Sequence, residues 1–231
     1  MQIHGLNKTT LLDYPEHVAA TVFTGGCNFR CPFCHNKDLV LNPAGQPLIE
    51  EEEIFAFLKK RKGIITGVCV TGGEPTLQPD LKQFLAKIKE LGLKVKLDTN
   101  GYRPAVLSDV VESGLADYVA MDIKASREDY GRVAGCERIE TEKIEESVNY
   151  LMQDKVPYEF RTTIVKELHT ETEIEKIGKW LQGCRAYFLQ SYEENENVIQ
   201  PGFHSCTEEE LAEFVKILQQ YIKNVKLRGV N

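Results

Sequence analysis

The sequence lacks any uninterrupted run of about 18 apolar residues, the length that a helix needs to cross a bilayer. Its N-terminal residues are mixed and polar, without the charged and then apolar pattern of a secretory signal. It also lacks an excess of positive charge, because 35 acidic residues against 28 basic ones give a formal net charge of −7. We therefore expect a cytoplasmic protein that binds neither nucleic acid nor membrane.

Internal repeats, low-complexity tracts and long linkers are absent as well. The chain has 231 residues, of which 42% are hydrophobic, and this is enough for one domain with a sizeable core. We expect residues 1–231 to form a single domain.

The seven cysteines do not suggest a disulfide framework. Their number is odd, the chain is large, and three of them crowd into a short segment. Thiols that lie so close together in a reducing compartment indicate a metal site. The other cysteines are scattered, and we expect them in the core or in loops: Cys69, Cys136, Cys184 and Cys206.

Short apolar, β-branched runs alternate with segments of helical periodicity along the chain. Strands are predicted at residues 18–24, 65–71, 93–97, 117–123, 158–165, 186–190 and 225–230. Helices are predicted at residues 49–62, 79–91, 104–113, 142–154, 171–181 and 207–223. The alternation predicts an α/β fold with a parallel sheet and about six strand–helix units, too few for a full eightfold barrel.

The strongest local signal is Cys27, Cys31 and Cys34, a C-x3-C-x2-C motif directly after the first predicted strand. Such a loop can place three thiolates around one face of a soft metal centre. A [4Fe–4S] cluster normally takes four cysteines, so one iron would stay open to a substrate or cofactor. The alternative is a structural zinc site completed by His35 or a distant cysteine.

Three further polar clusters follow predicted strands: Gly72-Gly73-Glu74, Asp98 to Gly101, and Asp122 with Lys124. Because the carboxyl ends of parallel strands meet at one edge of a sheet, these clusters should converge with the cysteines. Glu74 could bind a cationic amino group, or it could belong to an ordinary turn. Asp122 and Lys124 lie two residues apart and should face the same side of their strand.

The cysteine motif has the form C-x3-C-x-aromatic-C, with Phe33 in the aromatic position, and a Gly-Gly-Glu-Pro sequence follows it. Together these motifs resemble the radical S-adenosylmethionine (SAM) superfamily. Within it, the chain is similar to activating enzymes of glycyl radical proteins, such as anaerobic ribonucleotide reductase activators. That similarity rests on Cys34-His35-Asn36, on Asp98-Thr99-Asn100-Gly101 and on Met121-Asp122-Ile123-Lys124.

The resemblance implies a partial (β/α)6 barrel with SAM bound across its top. Cys27, Cys31 and Cys34 would hold a [4Fe–4S] cluster whose fourth iron binds SAM. Phe33 would pack near the adenine, and Gly72, Gly73 and Glu74 would bind the methionyl amino group. The resemblance places the remaining candidates around the same cofactor: Asp98, Thr99 and Asp122 at a monovalent cation site, and Asn36, Asn100, Lys124 and Arg161 in the SAM pocket.

The implied reaction is reductive cleavage of SAM to methionine and a 5′-deoxyadenosyl radical, which would take a hydrogen atom from a glycine of a partner enzyme. A flavodoxin or ferredoxin would supply the electron. Two alternatives stay open: a radical SAM enzyme that acts on a small molecule, like the carboxy-deazaguanine synthases, and a non-catalytic zinc module. Residues 193–205 form a polar segment that we expect to be a solvated connection.

Overall fold

The computed structural model describes residues 1–229, and its centre is an eight-stranded sheet. The strands have the same order in the sheet as along the chain. The first strand is antiparallel to the second, and all later pairs are parallel. The strands are β1 (Ile3–Thr10), β2 (Ala19–Thr24), β3 (Gly67–Gly72), β4 (Lys94–Thr99), β5 (Tyr118–Asp122), β6 (Tyr158–Ile164), β7 (Tyr187–Ser191) and β8 (Val225–Arg228).

Helices occupy the connections between successive parallel strands. They are α1 (Lys37–Leu41), α2 (Glu51–Lys60), α3 (Leu81–Glu90), α4 (Pro104–Glu112), α5 (Tyr130–Val133), α6 (Thr141–Leu151), α7 (Glu171–Trp180) and α8 (Glu208–Gln219). In α3, Leu81, Phe84, Leu85 and Ile88 are buried, the spacing expected of one apolar helix face. No helix within residues 1–229 is both long and apolar enough to cross a membrane.

The six predicted strand–helix units correspond to β2 through β7 with the helices that follow them. The predicted α/β fold with a parallel sheet is therefore confirmed. The short final strand is also present, although Val230 and Asn231, where the predicted strand and the predicted domain end, lie outside the described residues. The sequence pattern missed β1 because only its two end residues are buried, so no period-2 alternation marks it.

One face of the sheet carries charged side chains instead of an apolar layer. Strand register aligns Cys69, Lys96 and Tyr118 on three neighbouring strands. The next row, two residues closer to the carboxyl ends, contains Asp98 and Glu159. Lys96 is 2% exposed and Glu159 is fully buried, and charged side chains are rarely so buried unless they are paired. This face is therefore organised by ion pairs.

An ion pair between β6 and β8 indicates that the sheet is curved. Arg228 donates to both carboxylate oxygens of Glu159, at 2.6 and 2.8 Å. The Tyr118 hydroxyl donates to the same carboxylate at 2.9 Å. Because β7 lies between β6 and β8, this contact is consistent with a sheet that bends toward a barrel. Within residues 1–229 no strand pairing joins β8 to β1, so the barrel is open on that side.

The backbones that follow β2 and β3 are in direct contact. Gly73 N donates to Thr24 O at 2.8 Å, and Glu74 N donates to Gly26 O at 2.7 Å. A Cβ atom at Gly73 would overlap the carbonyl group of Gly26, whose backbone atoms cannot rotate away. Gly72 has a φ of +118°, and a Cβ atom there would overlap the backbone of Thr24. The two glycines thus bring the loop that follows β2 against the end of β3.

We expect the Gly73→Ala variant to lose at least about 3 kcal/mol of unfolding free energy, near the upper end of overpacking costs. The reason is that the new methyl group can be accommodated only if the backbones after β2 and β3 separate. Urea denaturation followed by circular dichroism measures the loss.

Gly92→Ala is the matched control. Gly92 has a φ of +77°, but a Cβ atom there meets nothing within 4 Å. Only the cost of a left-handed conformation, roughly 1–2 kcal/mol, is expected. Equal losses in the two variants would contradict the close backbone contact at Gly73.

Candidate functional site

A cavity of about 750 Å³, counted with the space open to solvent, lies at the carboxyl edge of the sheet. The ends of β3, β4, β5 and β6 and the cysteine loop after β2 form its walls. All of the predicted site residues except Asn36 line it: Cys27, Cys31, Phe33, Cys34, Gly72, Gly73, Glu74, Asp98, Thr99, Asn100, Asp122, Lys124 and Arg161.

The three motif cysteines lie in the loop between β2 and α1, and all three are free thiols. The loop turns back on itself through a hydrogen bond from Cys34 N to Cys31 O at 3.0 Å. Burial raises the pKa of both Cys27 and Cys31 to about 12. These thiols would lose their protons when they bind a metal, since only the thiolate is a ligand.

The donor set suits a thiolate-bound cluster better than a single zinc ion. Within the described residues, no three His, Cys, Asp or Glu side chains converge closely enough to bind one metal ion. His35 is engaged elsewhere, since its Nε2 lies 2.6 Å from Glu193 O and its ring stacks on Tyr192. Three thiols that share a cavity without meeting at one point fit a larger iron–sulfur group.

Asn100 connects the cysteine loop to β4. Its Nδ2 donates to Asn28 Oδ1 at 2.9 Å and lies 3.8 Å from Cys27 Sγ. Its backbone N–H donates to Glu74 Oε2 at 2.7 Å. One residue therefore fixes the distance between a motif cysteine and the Gly-Gly-Glu segment.

The Glu74 carboxylate is buried and faces the protein. It accepts hydrogen bonds from Thr76 N at 3.0 Å, Thr76 Oγ1 at 2.6 Å, Thr99 Oγ1 at 2.8 Å and Asn100 N at 2.7 Å. Burial raises the pKa of Glu74, and these four donors oppose that rise. With its oxygens so fully engaged, the carboxylate serves to join the turn after β3 to the end of β4.

The backbone of the same segment is better placed to bind a ligand. Gly72 O accepts from Asn36 Nδ2 at 2.7 Å, so Asn36 supports the glycines from outside the cavity. Among the described residues, no group donates a hydrogen bond to Gly73 O. This carbonyl group can therefore accept from an amino group in the cavity, the role that the family resemblance implies for the segment.

Charged side chains form the floor of the cavity. Arg161 Nη2 lies 2.9 Å from Asp98 Oδ2, and Lys124 Nζ lies 2.9 Å from Asp122 Oδ2. Arg161 Nε also pairs with Asp122, and Lys96 pairs with Asp98. Burial alone would raise the pKa of each aspartate, but the neighbouring cations outweigh it and hold both pKa values below the ordinary range. The floor is thus a charged network at neutral pH.

Lys96 was not identified from the sequence, although a signal for it exists. It lies two residues before Asp98 on β4, the same spacing that marks Asp122 and Lys124.

The Thr99 hydroxyl already has two hydrogen-bond partners within the protein. It donates to Glu74 and accepts from Gly101 N at 3.1 Å.

Phe33 lies within the cysteine loop and is buried, with 4% of its surface exposed. Its ring meets the edge of His169 at a centroid distance of 6.4 Å. His169 in turn lies 2.9 Å from Lys124 O. No sequence pattern marks this histidine, whose pKa burial lowers, yet it connects the aromatic residue of the motif to the backbone just after β5.

Most of the polar segment 193–205 is exposed, as expected of a solvated connection, but its middle also contacts the cysteine loop. Ile199 N donates to Cys34 O at 3.1 Å, and Gln200 N donates to Pro32 O at 2.8 Å. Lys37 N donates to Asn197 O at 3.3 Å. Residues 197–200 therefore contact the end of the cysteine loop and the start of α1. Such backbone pairing has no signature in side-chain chemistry.

Comparison with known proteins gives the family. A model of the radical SAM superfamily matches residues 21–181. Over 99% of its length, the chain is 33% identical to a protein of Methanocaldococcus jannaschii that is named a glycyl-radical enzyme activating enzyme, and it covers 96% of that protein. It is also 34% identical to the pyruvate formate-lyase-activating enzyme of Clostridium pasteurianum, over 53% of this chain and 52% of that enzyme.

Solved structures agree on the fold. The chain matches Streptococcus suis SuiB bound to the precursor peptide SuiA with a TM-score of 0.71 and 15% sequence identity. The match covers 91% of this chain and 48% of SuiB. At this identity the likeness shows the fold alone, and the predicted partial barrel is confirmed. Because the family model spans well over half of the sequence, this chain belongs to the radical SAM superfamily and is an enzyme that uses a [4Fe–4S] cluster and SAM.

Proposed function

We propose that this enzyme removes a hydrogen atom from a glycine of a partner protein and so installs a glycyl radical on a second enzyme. The observation that carries the proposal is the similarity to a protein named a glycyl-radical enzyme activating enzyme over nearly the whole of both chains. The partial match to a pyruvate formate-lyase-activating enzyme supports the same reaction class.

Different residues of the cavity would bind the cluster and SAM. Cys27, Cys31 and Cys34 would hold the cluster, and Gly73 O would accept from the amino group of SAM. When bound, cluster and SAM supply the reductive cleavage that yields methionine and a 5′-deoxyadenosyl radical. Lys124 and Arg161 line the cavity and carry the positive charge that a carboxylate of the ligand requires. The protein's own task is to position these groups and to exclude water.

The open side of the barrel supports a protein substrate. Within the described residues, β1 and β8 are the two edges of the sheet and do not pair. A peptide loop could enter from that side. A ribonucleotide reductase of the anaerobic type would be such a partner, and a flavodoxin or ferredoxin would donate the electron.

We expect the anaerobically reconstituted protein to form 5′-deoxyadenosine from SAM and dithionite, and the Cys31→Ala variant to form none. Loss of one of three ligands should prevent assembly of the cluster. Chromatography of the reaction mixture measures the product.

Cys184→Ala is the control for that experiment. Cys184 is also buried, but it lies just before β7 and does not line the cavity. The control should retain iron and activity close to those of the unmodified enzyme. A Cys31→Ala variant as active as the control would contradict the assignment of the cysteine loop.

The partner is tested with glycyl radical enzymes from the same host. With the true partner, electron paramagnetic resonance should show a glycyl radical after SAM cleavage. If that partner contains glycine deuterated at Cα, one deuteron should appear in 5′-deoxyadenosine, detected by mass spectrometry. A partner with alanine in place of its target glycine should give neither signal. Absence of both signals with every such enzyme of the host, while SAM is still cleaved, would reject the proposed function and favour a small-molecule substrate.

A further inference from the structure

The residues of the implied monovalent cation site do not fit a bound cation. Both oxygens of the Asp98 carboxylate are engaged, one by Lys96 and the other by Arg161 at 2.9 Å. Both oxygens of Asp122 are engaged as well, by Arg161 and by Lys124. Protein side chains thus already supply positive charge to every oxygen of the two aspartates.

Lys96 lies farther from the cavity than the other two cationic side chains, Lys124 and Arg161. Lys124 and Arg161 line the cavity, and Lys96 does not. Strand register pairs Lys96 with Tyr118, whereas Asp98 pairs with Ala120, closer to the carboxyl edge. Lys96 therefore lies beneath Asp98, where it can serve the carboxylate but cannot reach a ligand in the cavity.

The surroundings of Lys96 keep its side chain protonated and positively charged. The side chain is 2% exposed, and apart from Asp98 its Nζ contacts Cys69 Sγ at 3.8 Å. Burial by itself lowers the pKa of Lys96, but the Asp98 carboxylate outweighs that effect and the pKa is raised. The ammonium group is thus charged, and within residues 1–229 Asp98 is its single carboxylate partner.

Ligand binding would leave Asp98 dependent on this lysine. If Lys124 and Arg161 turn toward a carboxylate in the cavity, Asp98 loses one of its two cations. A buried carboxylate without a counter-ion is costly, and Lys96 is the cation that stays.

We propose that the ammonium group of Lys96 is a built-in counter-ion that takes the place of a bound monovalent cation beneath the SAM site. The enzyme should then bind SAM without K⁺ or Na⁺. This inference goes beyond the proposed function, since it concerns SAM binding and is independent of the partner.

The test measures the affinity of the reconstituted holoenzyme for SAM by equilibrium dialysis, in KCl and in choline chloride at equal ionic strength. The unmodified enzyme should bind SAM equally well in both. The Lys96→Met variant keeps an unbranched side chain of nearly the same length and removes its charge. In choline it should bind SAM about tenfold more weakly or worse, because Asp98 is then buried with too little positive charge. KCl should restore the affinity.

Thallous ion, an analogue of K⁺, gives a second readout that does not depend on SAM. It should bind the Lys96→Met variant at one site and the unmodified enzyme at none. Lys82→Met is the matched control, because Lys82 makes an exposed ion pair with Asp109; its SAM affinity should not depend on the salt. The double variant Lys96→Met, Asp98→Asn removes both charges and should not bind thallous ion at that site.

Two results would overturn the proposal. One is a loss of SAM affinity of about tenfold or more when choline replaces K⁺ around the unmodified enzyme, which decides the question even if Lys96→Met does not fold. The other is a folded Lys96→Met variant that binds SAM as the unmodified enzyme does, in both salts. Failure of the partner experiments would leave these measurements unaffected.

Discussion

The contact between the backbones of Gly26 and Gly73 is the constraint on which the site depends. It places the loop that carries the cysteines directly against the end of β3, with two hydrogen bonds across the contact. Glu74, the next residue, then reaches β4 through Thr99 and Asn100. The Gly-Gly-Glu motif therefore has a structural role that precedes any contact with a ligand, because it sets the spacing between the thiols and the charged floor.

The charged floor follows from the same geometry. Parallel strands bring Asp98, Asp122 and Arg161 to one edge, and the curvature of the sheet lets β6 reach β4 across β5. Removing one partner of a buried ion pair destabilises the folded protein by roughly 3–5 kcal/mol. The network therefore favours a fixed arrangement of charges, and a ligand that enters the cavity must exchange contacts with it.

Much of the fold and of the site could be predicted from the sequence. The features that could not be predicted share one physical cause. The strands β2 to β7 could be predicted because their buried residues form apolar runs in the sequence. The motif residues could be assigned to one site because they lie at or just after the ends of those strands. β1, the pairing of Ile199 and Gln200 with the cysteine loop, and the inward direction of the Glu74 carboxylate were not visible. Each of these depends on backbone hydrogen bonds or on neighbours distant in sequence, which leave no local pattern of residue types.

The pairs Lys96–Asp98 and Asp122–Lys124 show how position in the sheet changes the meaning of one sequence pattern. In both, a lysine and an aspartate lie two residues apart, within β4 in one case and at the end of β5 in the other. In β5 the lysine follows the aspartate, so it extends past the carboxyl edge into the cavity. In β4 the lysine precedes the aspartate, so it lies deeper and is covered. The order of the two residues along a parallel strand therefore decides which lysine can meet a ligand and which can only neutralise its neighbour.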